Sequence, residues 1–129
     1  MNGDLMVLNG AEPFPERVRQ VCAAWLRAGR DGDLLVTDKA FFTVYCWSHN
    51  HGIRDPAGPE YDPELAEYVT ASYEALGGRA GWNAMLCQRT LCRVCGDRYL
   101  LENLGVCTGC MAYTCYRCGP HAHCTGELV

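Results

Sequence analysis

Residues 91–126 read LCRVCGDRYLLENLGVCTGCMAYTCYRCGPHAHCTG. The stretch sets out three Cys-x2-Cys pairs, Cys92 with Cys95, Cys107 with Cys110 and Cys115 with Cys118, followed by His121, His123 and Cys124. Two thiolates two residues apart on a tight knuckle can both face one tetrahedral ion, with Zn–S distances of about 2.3 Å. Gly96 and Gly119 follow two of the pairs, where the chain has to turn sharply. Each pair supplies half a site. Two of His121, His123 and Cys124 supply a fourth half, which completes two closed four-ligand sites. A redox dithiol occurs once, at the start of a helix in a βαβ context, and three pairs in a row do not fit that pattern. Histidines among the thiolates favour zinc over an iron–sulfur cluster.

Spacing bears on which pairs share an ion. If neighbouring pairs shared, Cys115, Cys118, His121 and Cys124 would have to close a site within ten residues, which is cramped. If alternate pairs shared, Cys92, Cys95, Cys115 and Cys118 would hold one ion, and Cys107, Cys110 and the His/Cys terminus the other. The alternate layout is the favoured expectation. It leaves Arg98 to Val106 as a hairpin or loop between knuckles, with Tyr99, Leu100, Leu101 and Leu104 as a small core.

The segment CTGCMAYTCYRCGPHAH, from Cys107 to His123, resembles the second half of a ZZ-type zinc finger, in which a CxxC pair, a short spacer, another CxxC pair and HxH recur. The resemblance covers residues 92–123. It implies a cross-braced, two-zinc fold of the treble-clef kind. On that pattern Cys92, Cys95, Cys115 and Cys118 match the all-cysteine site, and Cys107, Cys110, His121 and His123 match the mixed one. Members of that family carry acidic residues before the third pair that receive a peptide's N-terminal amine. Here Met111, Ala112, Tyr113 and Thr114 stand there, so the resemblance extends to the fold and not to that ligand. A RING finger fits less well, because no histidine lies between Cys107 and Cys118.

Working outward, the composition limits the setting. Ten cysteines in 129 residues would form a disulfide framework in a secreted chain and metal sites in a reducing one. The N-terminus MNGDLMVLNGAEPFPERVRQ has an acidic residue where an export signal needs positive charge, and no apolar core of export length. No apolar run approaches the ~20 residues of a spanning helix. The expected location is the cytoplasm, without membrane contact. One lysine, Lys39, against ten arginines fits the GC-rich coding bias of a bacterial or phage source. Residues 1–86 carry seven basic against twelve acidic side chains, a balance of −5, and residues 87–129 carry four against three, a balance of +1. Neither part has the basic character of a phosphate-backbone binder.

Upstream, Pro15 suits a helix start, and Val18, Val21, Cys22, Trp25 and Leu26 recur at helical spacing until Gly29. Leu34 to Val36 and the aromatic, β-branched run Phe41 to Trp47 predict a β-hairpin. Ser48 to Tyr61 has loop composition. Asp62 and Pro63 then open a helix whose apolar face carries Leu65, Tyr68, Val69, Ser72, Tyr73 and Leu76, ended by Gly77-Gly78. The expected fold class is therefore α+β, a small N-terminal α-β-β-α unit (residues 1–81) packed on a C-terminal zinc-binding module (residues 82–129). The boundary falls at Gly77 to Gly81, with Trp82, Met85 and Leu86 joining the parts.

Other residues weigh less. Cys22 reads as a small buried hydrophobe, and Cys87 as a packed side chain more readily than as a ligand. The string His49-Asn50-His51 lacks the ββα spacing of the nuclease motif it spells. Cys46 with His49 or His51 would be a thiolate–imidazole pair only if the rings reached the sulfur, and on a strand they point away. Arg89, Arg93, Arg98 and Arg117, interleaved with Tyr99, Tyr113 and Tyr116, are expected as a solvated surface, with single-strand nucleic-acid binding as the alternative. Eight ligands fill two ions and leave no open position for catalytic water, and no phosphate loop or paired carboxylates occur. The expected role is a non-enzymatic adaptor or regulator that docks a protein partner, its two Zn2+ being structural. A nucleic-acid-associated regulator ranks second, and an enzyme using a cleft around Cys46, His49 and His51 third.

Overall fold

The computed structural model describes residues 13–31, 34–35, 38–108 and 112–118. Among the described residues, four helices are followed by two small antiparallel sheets. Helix α1, Phe14–Arg27, has proline in its first turn with Glu16 beside it, and buries Phe14, Arg17, Val18, Val21, Cys22 and Trp25. It stops where Gly29 and Arg30 both turn left-handed, at φ 71° and 64°. The Arg30 amide donates to the Trp25 carbonyl at 3.0 Å, and its guanidinium pairs with Glu67.

Among the described residues the expected β-hairpin is not found. Residues 38–50 form helix α2, Asp38–Asn50, in place of the second strand, so the N-terminal unit is not α-β-β-α. The reason is burial on nearly every side. Ala40, Phe41, Phe42, Thr43, Val44, Trp47 and Ser48 are all buried, so the run has neither strand alternation nor a polar helical face, and periodicity cannot separate the two states. Tertiary packing overrides the β-propensity of its aromatic and branched residues. Thr43 Oγ1 donates back to the Lys39 carbonyl at 2.6 Å, the helical way of satisfying a β-branched hydroxyl.

Helix α3, Pro63–Ala75, begins as expected: Asp62 accepts a hydrogen bond from the Leu65 amide at 3.2 Å. Leu65, Tyr68, Val69 and Ser72 face inward. The Ser72 hydroxyl donates to the Tyr68 carbonyl at 3.0 Å and accepts from the Leu35 amide at 3.1 Å, which pins a fully buried leucine to the helix. At Gly77 to Gly81, where the sequence places a boundary, the chain turns at Gly77 directly into helix α4, Gly78–Leu86. A Cβ at Gly81 would collide with the Leu76 carbonyl, so only glycine lets α4 approach the end of α3 this closely. Trp82 packs on Phe41, Phe42 and Tyr45, all on α2, while Met85 is buried in the core.

The last part comprises β1 (Arg89–Leu91) paired with β2 (Arg98–Leu100), a 3-10 turn (Leu101–Asn103), and β3 (Leu104–Val106) paired with β4 (Tyr113–Cys115). Arg98 to Val106 was expected as a hairpin or loop. It is strand, turn and strand, with each strand pairing outward rather than with the other. Leu101 and Leu104 are buried. They belong to one core cluster that runs from Phe14 and Trp25 through Tyr68 and Met85 to Cys92 and Cys115. Among the described residues no helix is long and apolar enough to cross a membrane.

Candidate metal centre

The first knuckle follows β1. The Cys92 amide donates to the Asp97 carbonyl at 2.8 Å and the Gly96 amide to the Cys92 carbonyl at 3.0 Å, closing a turn around Cys92 to Asp97. Gly96 sits at φ 79°, the left-handed conformation the turn requires. The second knuckle, Cys115 to Cys118, follows β4. The two meet because the Arg93 amide donates to the Tyr113 carbonyl at 2.9 Å, which lays the first knuckle along β4.

Cys92, Cys95, Cys115 and Cys118 converge, and their four Sγ atoms all lie within 4.8 Å of one another. This unites the first and third Cys-x2-Cys pairs, the alternate sharing favoured from spacing. Cys92 Sγ and Cys118 Sγ are 3.9 Å apart. A disulfide would need about 2.05 Å. The edge of a tetrahedron with Zn–S bonds of about 2.3 Å is about 3.8 Å, so this pair of sulfurs stands at the separation a tetrahedral ion demands. Two thiols in plain contact would stand equally far apart. What distinguishes the site is that four converge and that backbone amides point at the sulfurs.

The Cys115 amide donates to Cys92 Sγ at 3.3 Å. Burial opposes ionisation of Cys92, but hydrogen bonds from the amides of Cys95, Cys115 and Val94 outweigh it and bring the thiol down to about 6. Cys115 is lowered chiefly by the Cys118 amide. Cys118 is pushed up to about 12, first through its hydrogen bond to the Cys115 sulfur. Four thiolates in so small a space would repel one another, and a dication held between them would offset that repulsion. Cys92 and Cys115 are buried, Cys118 is half-buried and Cys95 is exposed.

Cys107 is buried at the end of β3 and is not a member of this cluster. Cys110, His121, His123 and Cys124, the rest of the expected second site, lie outside the described residues. Cys22 is buried as expected. Its thiol is pushed up to about 11, by burial first and then by Asp62, Glu64 and Glu67. Cys87 was expected to pack, yet it caps α4 in an exposed position and takes no part in the cluster. Cys46 lies on helix α2 rather than on a strand, which removes the geometry on which its separation from His49 was argued. Its thiol is pushed up to about 11 by burial, which the charge of Arg54 offsets only in part. His51 Nδ1 is 3.1 Å from Glu60 Oε2. Arg89, Arg93, Arg98 and Arg117 are all exposed, as expected.

Two contacts of this region are not anticipated by the sequence. The Tyr99 hydroxyl is 3.4 Å from Cys95 Sγ. Its signal was its position four residues after the second cysteine, on a strand that returns past the knuckle. Arg17 is buried on α1 and donates from Nη2 to the Thr108 carbonyl at 3.1 Å, tying the helix to the turn after Cys107. Its signal was an arginine between Phe14 and Val18 on an otherwise apolar helical face.

Comparison with known protein families, with curated proteins and with solved structures finds no match to this chain. The likeness to ZZ-type fingers therefore rests on cysteine spacing together with the four-cysteine cluster.

Proposed function

We propose that this protein is a non-enzymatic interaction module stabilised by structural zinc. The observation that carries the reading is the closed set of four converging thiols, Cys92, Cys95, Cys115 and Cys118. Zinc held by four thiolates has no position left for water or substrate, so what the ion supplies is folding free energy. The second ion of the proposal takes Cys107 and Cys110 with two of His121, His123 and Cys124, which makes the module cross-braced.

The surface supports a protein partner. Val94, at the tip of the first knuckle, is 54% exposed, Tyr116, at the tip of the second, 61%, and Leu91, beside Cys92, 48%. Val94 and Tyr116 belong to the two knuckles that converge on the cysteine cluster, and exposed Arg93 and Arg117 adjoin them in sequence. An aromatic anchor with arginine beside it is the composition of an interface core. A partner copurified from the source organism should be retained by the wild type and lost by a Val94→Asp/Tyr116→Ser variant whose zinc content and circular dichroism are unchanged. Zinc-dependent hydrolytic or transfer activity, or a water ligand on the ion, would sink the proposal.

The four exposed arginines with Tyr116 favour one second reading, a nucleic-acid-associated regulator. A zinc ion with four thiolates brings a charge of −2 to the same surface and weighs against it. That reading requires oligonucleotide binding at about 50 mM salt that weakens steeply as salt rises.

A further inference from the structure

Away from the metal centre, Arg54 follows α2 in the turn that leads to α3. Its guanidinium lies over the Tyr45 ring, 4.1 Å from the centroid, and its Nε donates to Ser48 Oγ at 3.2 Å. Ser48 is buried and spends its one hydroxyl proton on the Tyr45 carbonyl at 2.9 Å, so its lone pair receives Arg54 Nε–H. Stacking and the Nε bond fix the planar group, and among the described residues no hydrogen-bond acceptor takes its four Nη–H donors.

Among the described residues no carboxylate pairs with Arg54, and the nearest in sequence are engaged elsewhere. Asp55 Oδ1 accepts from the Ala57 amide at 3.0 Å, and Glu60 faces His51 at 3.1 Å. A half-buried guanidinium held rigid with no carboxylate paired to it among the described residues is prepared for an anion. Two open depressions adjoin it. One, of about 250 Å³, is lined by Tyr45, Val69, Thr70 and Tyr73, and its two tyrosine rings lie nearly parallel, 25° apart. The other, of about 290 Å³, is lined by Ser48, His49, Gly52 and Asp55.

The geometry points to a binding site for a small aromatic carboxylate, its carboxylate on the Arg54 Nη fork and its ring in the depression lined by Tyr45, Val69, Thr70 and Tyr73. The fork matches a carboxylate in two parallel bonds, and the aromatic depression accepts a flat apolar group beside it. Ser48 is a positioning residue, acting through Arg54. The site does not depend on the metal reading, and lies on the helical part of the chain.

Amide spectra of the zinc-loaded full chain, titrated with benzoate, test the assignment. Benzoate should give saturable shifts at Arg54, Val69, Thr70 and Tyr73 with a dissociation constant of about 1 mM. Benzamide has the same shape without the charge and should bind at least about tenfold more weakly. Inorganic phosphate, which carries charge without a ring, should also bind more weakly than benzoate. Arg54→Gln should abolish the shifts, and Ser48→Ala should weaken binding while leaving the shift pattern in place. Absence of saturation up to about 20 mM benzoate, equal binding of benzamide, or phosphate binding as tight as benzoate would each overturn the assignment, and none requires a variant to fold.

Discussion

With a metal ion bound, Cys95 is a thiolate with no proton to give, so the Tyr99 hydroxyl 3.4 Å away must be the donor. Cys95 is the exposed member of the set, and this phenol partly neutralises the sulfur least sheltered from water. Groups that hydrogen-bond a metal ligand are worth about 10- to 100-fold in affinity, and the exposure here places Tyr99 at the low end. Tyr99→Phe should weaken zinc binding about tenfold in chelator competition, with the fold retained; unchanged affinity would remove Tyr99 from the site. A separate prediction concerns the thiols of the helical part. Cys22 and Cys46, ordinarily at 9.0, are each pushed up to about 11 in the folded chain. The folded state therefore holds their protons more tightly than the unfolded chain does. The stability this contributes is fully present below pH 9.0 and is lost as pH rises towards 11. The urea midpoint should fall over that window in the wild type and fall less in a Cys22→Ala/Cys46→Ala variant. Equal slopes would contradict the burial account.

Between α3 and α4 the chain turns within Leu76 to Gly78, and Gly81 approaches the Leu76 carbonyl too closely for any Cβ. Gly81→Ala would normally help a helix by about 1 kcal/mol. Here it should cost a few kcal/mol, because backbone rather than a flexible side chain must move, and a thermal melt reads the sign. Elements with an outside face were legible from sequence: α1 and α3 each show an apolar stripe between recognisable ends. Helix α2 was not. Its Phe41-Phe42-Thr43-Val44 run is buried on all sides, and such a run carries no period by which a helix differs from a strand. The four-cysteine site was legible because Cys-x2-Cys spacing is itself a coordination geometry. The Tyr99 contact and the Arg17 bond to Thr108 depend on residues brought together only by the folded backbone.

At the scale of the molecule, the cysteine module and the helices share their interior. Cys92 and Cys115 stand in the same cluster as Trp25, Tyr68 and Met85. Leu101, Leu104 and Val106 are the module's own contribution, at about 1.5–3 kcal/mol each. Structural zinc is worth about 10–16 kcal/mol in small modules, so the ion outweighs them. Chelation should therefore abolish dispersed amide signals from residue 92 onward while much of the helical circular dichroism survives. The alternate sharing of ligands is the central claim, and cobalt substitution reads it directly through the charge-transfer bands of thiolate-bound ion. Cys95→Ser and Cys118→Ser should each remove or shift the bands of one and the same ion, whereas Cys107→Ser should leave that ion's bands in place. Loss of that ion in Cys107→Ser, with its bands intact in Cys118→Ser, would contradict the account.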